Sequence, residues 1–486
     1  MTQHTGERPV IIGAALSGLA VSYYLSKHGI PHVLIGRRPA PTRPRLGESL
    51  DLVGSLEMQL EFPQYSEYYH PKDTIGFYKG DHAGVFCTNL TGPIIHGLCR
   101  MIGIPFIPLI HLDRVGFDSR FYDDVTRAPH CTAIESTVVG IDYDDDHDRV
   151  MGVVLDDGER LEPTFLFDAS GFESRQILDT ALRITKTLVG RSQYVAFTHY
   201  LGRDGNGEAG GPPPGWKHAT NLLRLVARYD EIDGVAWAIP LGSYISIGVS
   251  VDADANRHSD DELIRLTDAA YERRGVEYKS VFAEPSRIKG IPYEHTRTPR
   301  IHGANWVQIG YTSNQVWFTS SSSVGTSCLV ANLAPMFLRS PRRAGRLYER
   351  YVQSVWRTHW RQDGIFNQPI PDTELGAYRK LRGDMIGFIS SNEDRYMLYS
   401  IAKGRENSLQ SALRFSSQVV KKLPGHVAVL GRRYVSIARP DDLGKQSQFI
   451  YAAKIPHCRL VGPCPMRDDP GERGPSVAKV KLVSDL

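Results

Sequence analysis

The chain has 486 residues, 41% hydrophobic and 23% charged, which is close to globular averages and predicts about three domain-sized units. Its 57 lysines and arginines nearly balance 54 aspartates and glutamates, whereas nucleic-acid binders normally carry a basic domain or stripe. The cysteines have no metal-ligand spacing, and neither a signal peptide nor a membrane-spanning apolar run is visible. We therefore expect a cytoplasmic protein with reduced thiols, and an enzyme.

The first forty residues predict a βαβ unit. A strand at 10–12 runs into a glycine turn, helical spacing continues from Leu16 to a stop at Gly29, and His32–Ile35 forms a second strand. This order within about 30 residues indicates a parallel sheet with crossover helices. Residues 40–110 are rich in proline and tyrosine and are predicted to be loop-like.

The rest of the chain predicts a mixture of strands and helices. After a helix at 114–128, strands are predicted at 133–143, 149–155 and 164–167. Residues 180–300 alternate apolar and polar side chains and predict sheet, with strands at 193–200, 222–229, 235–239 and 244–251. A strand at 306–309, a helix at 325–338 and a mostly helical, basic region follow, with a disordered stretch expected at 463–475.

The glycine turn reads G-A-A-L-S-G and resembles the dinucleotide fingerprint G-x-G-x-x-G. In that fingerprint the second glycine lets a pyrophosphate approach the helix N-terminus, and here Ala15 takes its place. The other interpretation is that Gly13 and Gly18 only permit a tight turn and close helix–sheet packing. The second strand ends at Gly36, so the acidic residue that normally binds the ribose is missing.

Four further segments carry a family resemblance. In chain order they are Arg43–Leu50 (RPRLGESL), His111–Asp118 (HLDRVGFD), Phe167–Ser174 (FDASGFES) and Val235–Pro240 (VAWAIP). They are similar to the R-x-x-x-G-E-S-L, V-D-R-x-x-F-D, D-A-S-G-x-x-S and W-x-W-x-I-P segments of flavin-dependent halogenases, a group within the FAD-dependent monooxygenases. In the last segment Val235 stands in place of the first tryptophan.

The resemblance implies an α/β fold. A Rossmann-like FAD-binding domain would be interleaved with a mainly antiparallel-sheet substrate domain and followed by a helical C-terminal region. The expected division is 1–180 for the FAD-binding domain with a substrate-domain insertion at about 51–110, 181–300 for the sheet domain, 301–340 for the FAD-binding return, and 341–486 for the helical region with a flexible tail.

The resemblance also implies the cofactor and its site. Reduced FAD would react with O₂ and oxidise a halide, and the family's W-x-W-x-I-P tryptophan, here Trp237, would wall the reaction chamber. Lys79 lies where the family's essential lysine is expected after the G-E-S-L segment, although a solvated lysine and a core tryptophan remain open. The implied cofactor-binding residues are Gly13, Ala15, Gly18, Arg43, Ser49, Arg114, Asp168, Gly171, Gly310 and Gly325.

Partners follow from the same resemblance. No separate nicotinamide fingerprint is present, so a partner reductase would supply reduced FAD to act on a small specialised metabolite, aromatic or polyketide-type. The basic stretches 341–343 and 421–422 suit either a solvated helix face or an acidic carrier protein. The histidines lack the H-x-x-H and H-E-x-x-H spacings of metal sites, so no metal centre is expected.

Two departures from the pattern leave a second function open. Tyr311 replaces the aspartate of the third flavin motif, and Gly36 removes the ribose contact. Each lost hydrogen bond costs on the order of 1 kcal/mol, so these changes and Ala15 together weaken FAD binding by roughly 100-fold. The alternative is a flavin-fold protein without productive FAD binding, acting as a cyclase- or isomerase-like catalyst or as a binding protein.

Overall fold

The computed structural model describes residues 8–40, 44–72, 74–79, 82–87, 109–171, 177–190, 192–202, 219–274, 282–315, 322–367, 435–438 and 481–482. Its helices are α1 (Leu16–Lys27), α2 (Leu52–Glu61), α3 (Arg114–Thr126), α4 (Ile177–Ala181), α5 (Ala227–Asp230), α6 (Asp260–Arg273), α7 (Ser322–Arg339) and α8 (Pro341–Asn367). Short 3₁₀ turns occupy Pro63–Tyr68 and Gly310–Thr312.

The strands of the first half are β1 (Arg8–Ile12), β2 (His32–Ile35), β3 (Tyr69–Pro71), β4 (Thr74–Lys79), β5 (His82–Cys87), β6 (Ile110–Leu112), β7 (Cys131–Ile134), β8 (Val138–Asp144), β9 (Arg149–Leu155), β10 (Arg160–Leu161), β11 (Pro163–Asp168) and β12 (Thr187–Leu188). Those that follow are β13 (Gln193–Gly202), β14 (Ala219–Leu225), β15 (Gly234–Pro240), β16 (Tyr244–Asp252), β17 (Phe282–Pro285), β18 (Lys289–Tyr293), β19 (Thr296–Arg297), β20 (Trp306–Gln308), β21 (Asn314–Gln315), β22 (Val435–Ala438) and β23 (Lys481–Leu482).

A parallel sheet of order β20-β11-β1-β2-β7 forms around the N-terminal βαβ unit. Its strands are short runs rich in valine, isoleucine, leucine and phenylalanine, as expected where both faces are covered. One face packs against α1, α7 and α8 in a large apolar core, and the other meets a smaller cluster that includes β8 and β9. The carboxyl ends of β1, β11 and β20 therefore lie side by side, where open parallel sheets bind ligands.

A second, larger sheet has the order β17-β13-β16-β15-β14-β4-β5-β22-β23, with β18 also paired to β13. Most of its pairs are antiparallel, but β14 and β4 run parallel, from Ala219 beside Thr74 to Arg224 beside Lys79. Helix α6 packs on one face, since the hydroxyls of Tyr194 and Tyr200 on β13 each donate to one of its aspartates at 2.6 Å. The other face is turned toward the parallel-sheet unit.

The prediction that residues 40–110 are loop-like is wrong for much of that segment. Helix α2 begins at the N-cap Asp51, whose Oδ1 accepts the Gly54 N–H at 2.7 Å. Strands β4 and β5 form a hairpin in the larger sheet. The tyrosines are packing residues: the Tyr65 ring meets Phe117 and Phe121 of α3 edge-on, at centroid distances of 5.2 and 5.4 Å. High proline and tyrosine content concealed this structure.

The all-sheet prediction for 180–300 misses helix α6. Its sequence carried the signal: Ser259 caps the N-terminus by accepting the Glu262 N–H, and three acidic residues occupy the first turn. The buried residues recur at helical spacing, namely Leu263, Ile264, Leu266, Thr267, Asp268, Ala270 and Tyr271. Residues 227–229, which the prediction placed at the end of a strand, lie in the short helix α5.

The α/β fold class is confirmed, with its parallel sheet, mainly antiparallel sheet and helices. Helices α7 and α8 cover 322–367, while the predicted disordered stretch at 463–475 and the basic pair at 421–422 lie outside the described residues. The division into domains remains a prediction. In the part of the chain that the structure describes, no helix is long and apolar enough to cross a membrane.

Candidate cofactor site and the facing sheet surface

The glycine turn lies tightly against the end of β11. Gly13 has a φ of +101°, and a Cβ atom there would lie 2.2 Å from the Ala169 carbonyl oxygen. A Cβ on Gly18 would lie 1.8 Å from the Gly13 carbonyl oxygen. Both glycines are therefore required for packing, and they also hold the turn in the shape that the dinucleotide fingerprint needs.

Helix α1 begins at this turn with an open N-terminus. Its N-cap is Ala15, no side chain caps it, and no acidic residue occupies its first turn. The first N–H groups of a helix have no intrahelical partner and carry partial positive charge, so this end suits a phosphate group. The Ser17 hydroxyl hydrogen-bonds to Ser327 of α7 at 2.7 Å and thereby joins the two helix N-termini.

Gly36 stands where the dinucleotide fingerprint has its ribose-binding acid, and there is no room for a side chain at this position. A Cβ at this position would lie 2.6 Å from the Ala14 backbone nitrogen and 2.9 Å from the Ala14 Cβ. The end of β2 thus packs directly against the glycine turn, and an acidic side chain does not fit in this conformation. The absence of the ribose acid has a steric reason.

The D-A-S-G segment and the Gly310 turn meet beside the glycine turn. The Gly171 N–H donates to the Thr312 hydroxyl at 3.1 Å, and a Cβ on Gly310 would lie 2.8 Å from the Ser17 Oγ. Asp168 is buried and accepts the Ser170 N–H at 3.1 Å. Burial raises the pKa of Asp168 to about 6, against the opposing effect of Ser170.

Asp168→Asn is expected to change the pH dependence of stability. Because burial raises the folded pKa above the unfolded value of 3.8, the wild type loses stability as pH rises from about 4 to about 6. An amide keeps the acceptor for Ser170 and carries no charge, so the variant should be more stable at pH 7 by roughly 1–3 kcal/mol. Urea titrations at several pH values of protein without ligand measure this difference.

Asp156→Asn is the matched control. Asp156 is exposed, and its hydrogen bond from Ser136 lowers its pKa. Removing this carboxylate should therefore change the pH dependence of stability in the opposite direction, and only in the acidic range. Equal pH dependence of wild type and Asp168→Asn between pH 4 and 6 would contradict the assignment.

Arg114 lies near the Gly310 turn, within electrostatic reach of Tyr311. Its guanidinium donates two hydrogen bonds to the Asp118 carboxylate, from Nε at 3.0 Å and from Nη2 at 2.9 Å. Arg45 donates to the same carboxylate at 2.9 Å. Burial disfavours its charge, but the Asp118 carboxylate outweighs burial and raises the pKa of Arg114. Gly47 leaves room for this side chain, since a Cβ there would lie 2.7 Å from its Nη1.

Tyr311 occupies the place of the expected aspartate. Its ring packs edge-on against Tyr293, with centroids 6.1 Å apart, and it lies within electrostatic reach of Arg114. Burial, followed by Tyr311, raises the pKa of the Tyr293 hydroxyl well above its usual value. The position presents a phenol hydroxyl where the family pattern has a carboxylate.

Three other predicted cofactor positions have different surroundings. Ser49 accepts a hydrogen bond from the buried Lys72 ammonium at 2.9 Å, and burial lowers the pKa of Lys72 to about 8. Gly325 is a packing position in α7, where a Cβ would lie 2.9 Å from the Tyr351 hydroxyl oxygen. Arg43 lies outside the described residues.

The predicted reaction-chamber residues lie on the larger sheet. Trp237 on β15 is buried, its ring covers Gly248 of β16, and its Nε1 donates to the Ser246 hydroxyl at 3.4 Å. Lys79 is the last residue of β4 and pairs in register with Arg224 of β14.

A buried polar cluster links the G-E-S-L segment to the larger sheet, and the sequence analysis did not single it out. His199 Nε2 lies 2.9 Å from Glu48 Oε1. The Tyr244 hydroxyl donates to Asp113 Oδ1 at 2.9 Å, and the Tyr244 and His199 ring centroids are 4.5 Å apart. Glu48 stood inside a recognised motif, but its partners are some 150 or more positions away, so no local pattern pointed to them.

This chain is similar to known proteins in part of its sequence and in its fold. Residues 108–199 match the family model described as tryptophan halogenase. Among solved structures, the flavin-dependent brominase Bmp2 is 16% identical with a TM-score of 0.58, over 86% of this chain and 100% of that one. Halogenase PltM is 16% identical with a TM-score of 0.59, over 87% and 94%. No curated protein matches the sequence.

The chain has the fold of the flavin-dependent halogenases. The family resemblance expected from the sequence is confirmed, at low sequence identity. A third structure with this halogenase fold is BrvH from Brevundimonas sp. BAL3, 15% identical with a TM-score of 0.55, over 90% of this chain and 98% of that one. A variant of PltM was solved in complex with FAD.

Within this halogenase fold the predicted cofactor residues fall into two groups. Gly13, Gly18, Asp168, Gly171 and Gly310 come together around the N-terminus of α1. Ala15 belongs with them as the N-cap of α1. The second group takes part in side-chain networks or packing and consists of Ser49, Arg114 and Gly325.

Proposed function

We propose that this protein is an FAD-dependent monooxygenase of the halogenase-like group, which uses reduced FAD and O₂ to halogenate or hydroxylate an aromatic or polyketide-type metabolite. The observation that carries the proposal is the glycine turn, with the uncapped N-terminus of α1 beside it and Gly310 against it, in a halogenase fold. Because one fold can host many chemistries, these site residues carry the functional assignment.

The residues present fit most of an FAD molecule. The N–H groups at the start of α1 would hold the pyrophosphate, because no side chain of the described residues competes for them. Arg114, the Gly171 turn and the Gly310 turn would border the remainder of the cofactor. When bound, reduced FAD would give two electrons to O₂ and so activate it to oxidise a halide or hydroxylate the substrate, and a partner reductase would deliver the reduced FAD.

The chain's own residues would shape the reaction chamber. Trp237 would wall it with an indole whose N–H is already bound to Ser246, so the ring presents only apolar surface. Lys79 would stand on the same sheet, as a cation that donates hydrogen bonds to hypohalous acid.

Turnover tests this proposal. With reduced FAD, O₂, bromide or chloride and a panel of phenols and pyrroles, the wild type is expected to give halogenated or hydroxylated product. Lys79→Ala should reduce halogenated product at least about 100-fold, the scale seen when a positioned catalytic group is removed. Lys27→Ala, which breaks an exposed pair with Glu61, is the control and should match the wild type. Equal halogenation by Lys79→Ala would exclude Lys79 as the halogen relay.

A second candidate function rests on Gly36. Because β2 packs directly on Ala14, the adenosine ribose loses its usual acceptor, and the fold would then serve a cyclase- or isomerase-like catalyst or a binding protein. Fluorescence titration with oxidised and with reduced FAD separates the two candidates. Micromolar or tighter binding of either form supports the flavoenzyme, and failure of both supports the non-redox alternative.

A further inference from the structure

His199 stands on the face of the larger sheet that is turned toward the G-E-S-L segment. Its neighbour Tyr200 points the other way and donates to Asp268 of α6 at 2.6 Å. His199 pairs in register with Ser246, and Ser246 accepts the hydrogen bond of Trp237. The imidazole and the proposed chamber tryptophan therefore share one sheet face and one neighbour.

The two ring nitrogens of His199 have different surroundings. Nε2 lies 2.9 Å from Glu48 Oε1, without the alignment of a hydrogen bond, and both side chains are at most 2% exposed. Nδ1 is buried and has no hydrogen-bond partner among the residues that the structure describes. A buried polar atom without a partner calls for a ligand or water, since leaving it unpaired destabilises the folded state.

The groups around this ring come from several elements of the fold. The Glu48 carboxylate faces Nε2 and so favours the tautomer that has its proton on Nε2. In that tautomer Nδ1 keeps its lone pair. From β16, Tyr244 contacts the ring, and its hydroxyl is already committed to Asp113 of the α3 N-cap. Cationic residues on adjoining segments include Lys72, which is bound to Ser49, and Lys289, the register partner of Phe197 on β18. Arg287 follows Ser286, whose N–H donates to the His199 carbonyl oxygen.

We propose that His199 Nδ1 binds and deprotonates the hydroxyl group of a phenolic substrate, with Glu48 as the positioning residue that holds the tautomer. The phenol O–H bond breaks, its electron pair stays on oxygen, and the proton forms an N–H bond at Nδ1. The resulting imidazolium faces the Glu48 carboxylate. This inference rests on the proposed function and names its substrate class. Deprotonation would assist that function because a phenolate ring is far richer in electrons than a phenol ring and attacks an electrophilic halogen more readily.

The test uses para-nitrophenol, whose phenol and phenolate forms absorb at different wavelengths, and full-length protein without flavin, halide or reductant. Bound to the wild type, its apparent pKa should fall by about one unit or more, equivalent to a tenfold shift of the proton equilibrium. Tyr200→Phe, on the opposite sheet face, should give the same shift. His199→Gln should return the nitrophenol pKa to its free value.

Glu48→Gln supplies a second, independent variant. Without the carboxylate the imidazolium is less stable, so the pKa shift should be at least halved while nitrophenol still binds. This variant decides the question if His199→Gln shows a changed circular dichroism spectrum. Absence of binding to the wild type, an unshifted nitrophenol pKa, or equal shifts in wild type and Glu48→Gln would overturn the proposal. Since the measurement contains no flavin, its outcome is separate from that of the turnover test.

Discussion

Gly13→Ala is expected to lower the free energy of unfolding by about 2–5 kcal/mol, the sum of a left-handed backbone penalty and of overpacking. The added Cβ would lie 2.2 Å from the Ala169 carbonyl oxygen, which β11 fixes through its parallel pairing with β1. The turn has to move away from β11. Two displaced backbone contacts to a charged pyrophosphate correspond to a loss of FAD affinity of at least roughly 100-fold.

Gly158→Ala is the matched control for this change. Gly158 has a φ of +87°, close to that of Gly13, but nothing lies within 4 Å of its added Cβ. It should therefore show only the backbone penalty of about 1–2 kcal/mol, with FAD affinity unchanged. Urea unfolding and flavin fluorescence titration measure the two quantities. Equal destabilisation by both substitutions would show that contact with β11 is unimportant.

Asp118→Ala should lower the free energy of unfolding by about 3–5 kcal/mol, because it leaves two partly buried guanidinium groups without their shared carboxylate. Asp118 is 1% exposed, and Arg114 and Arg45 both donate to it at 2.9 Å. The loss also frees Arg114 to move from Gly47, so the wall of the cofactor site should loosen. Thermal and urea unfolding measure the effect on stability.

Asp123→Ala tests the same kind of pair on the same helix in an exposed setting. Asp123 binds Arg38 at 2.7 Å, but the Arg38 side chain is 49% exposed. Water and salt screen such a pair, so the expected change is within about 1 kcal/mol. A comparable loss in both variants would mean that burial of the Asp118 network contributes little.

Local patterns predicted the N-terminal unit well. The strand His32–Ile35 and the start of α1 at Leu16 agree with the structure, because β-branched runs, a glycine turn and helical spacing are all signals of adjacent residues. Helix α6 was missed although its cap and acidic first turn are also local. There the general alternation of 180–300 outweighed a clear helix start at Ser259.

The glycine turn was visible in the local sequence, whereas the contacts of the facing sheet were not. Gly13 and Gly18 stand in a compact motif, and the missing acid at Gly36 was visible as a residue type. The steric reason for it is the approach of Gly36 to Ala14, which depends on the end of β2 folding over the turn. The His199–Glu48 pair depends on the register of β13 with β16 and on the placement of a distant turn, neither of which the sequence encodes locally.

The chain order of the two sheets has a consequence for how the protein folds. The parallel sheet needs β20, at 306–308, beside β11, while the larger sheet takes β4, at 74–79, from a segment made long before β14. In each sheet, two neighbouring strands are separated in the chain by residues that belong to the other sheet. Loops of more than a hundred residues must therefore close before either sheet is complete. Such contacts slow folding. A chain emerging from the ribosome leaves β11 with an unpaired edge until β20 has been made, and β5 with one until β22 has been made. We therefore expect C-terminal truncations before β20 to aggregate, and refolding of the full chain to be slow.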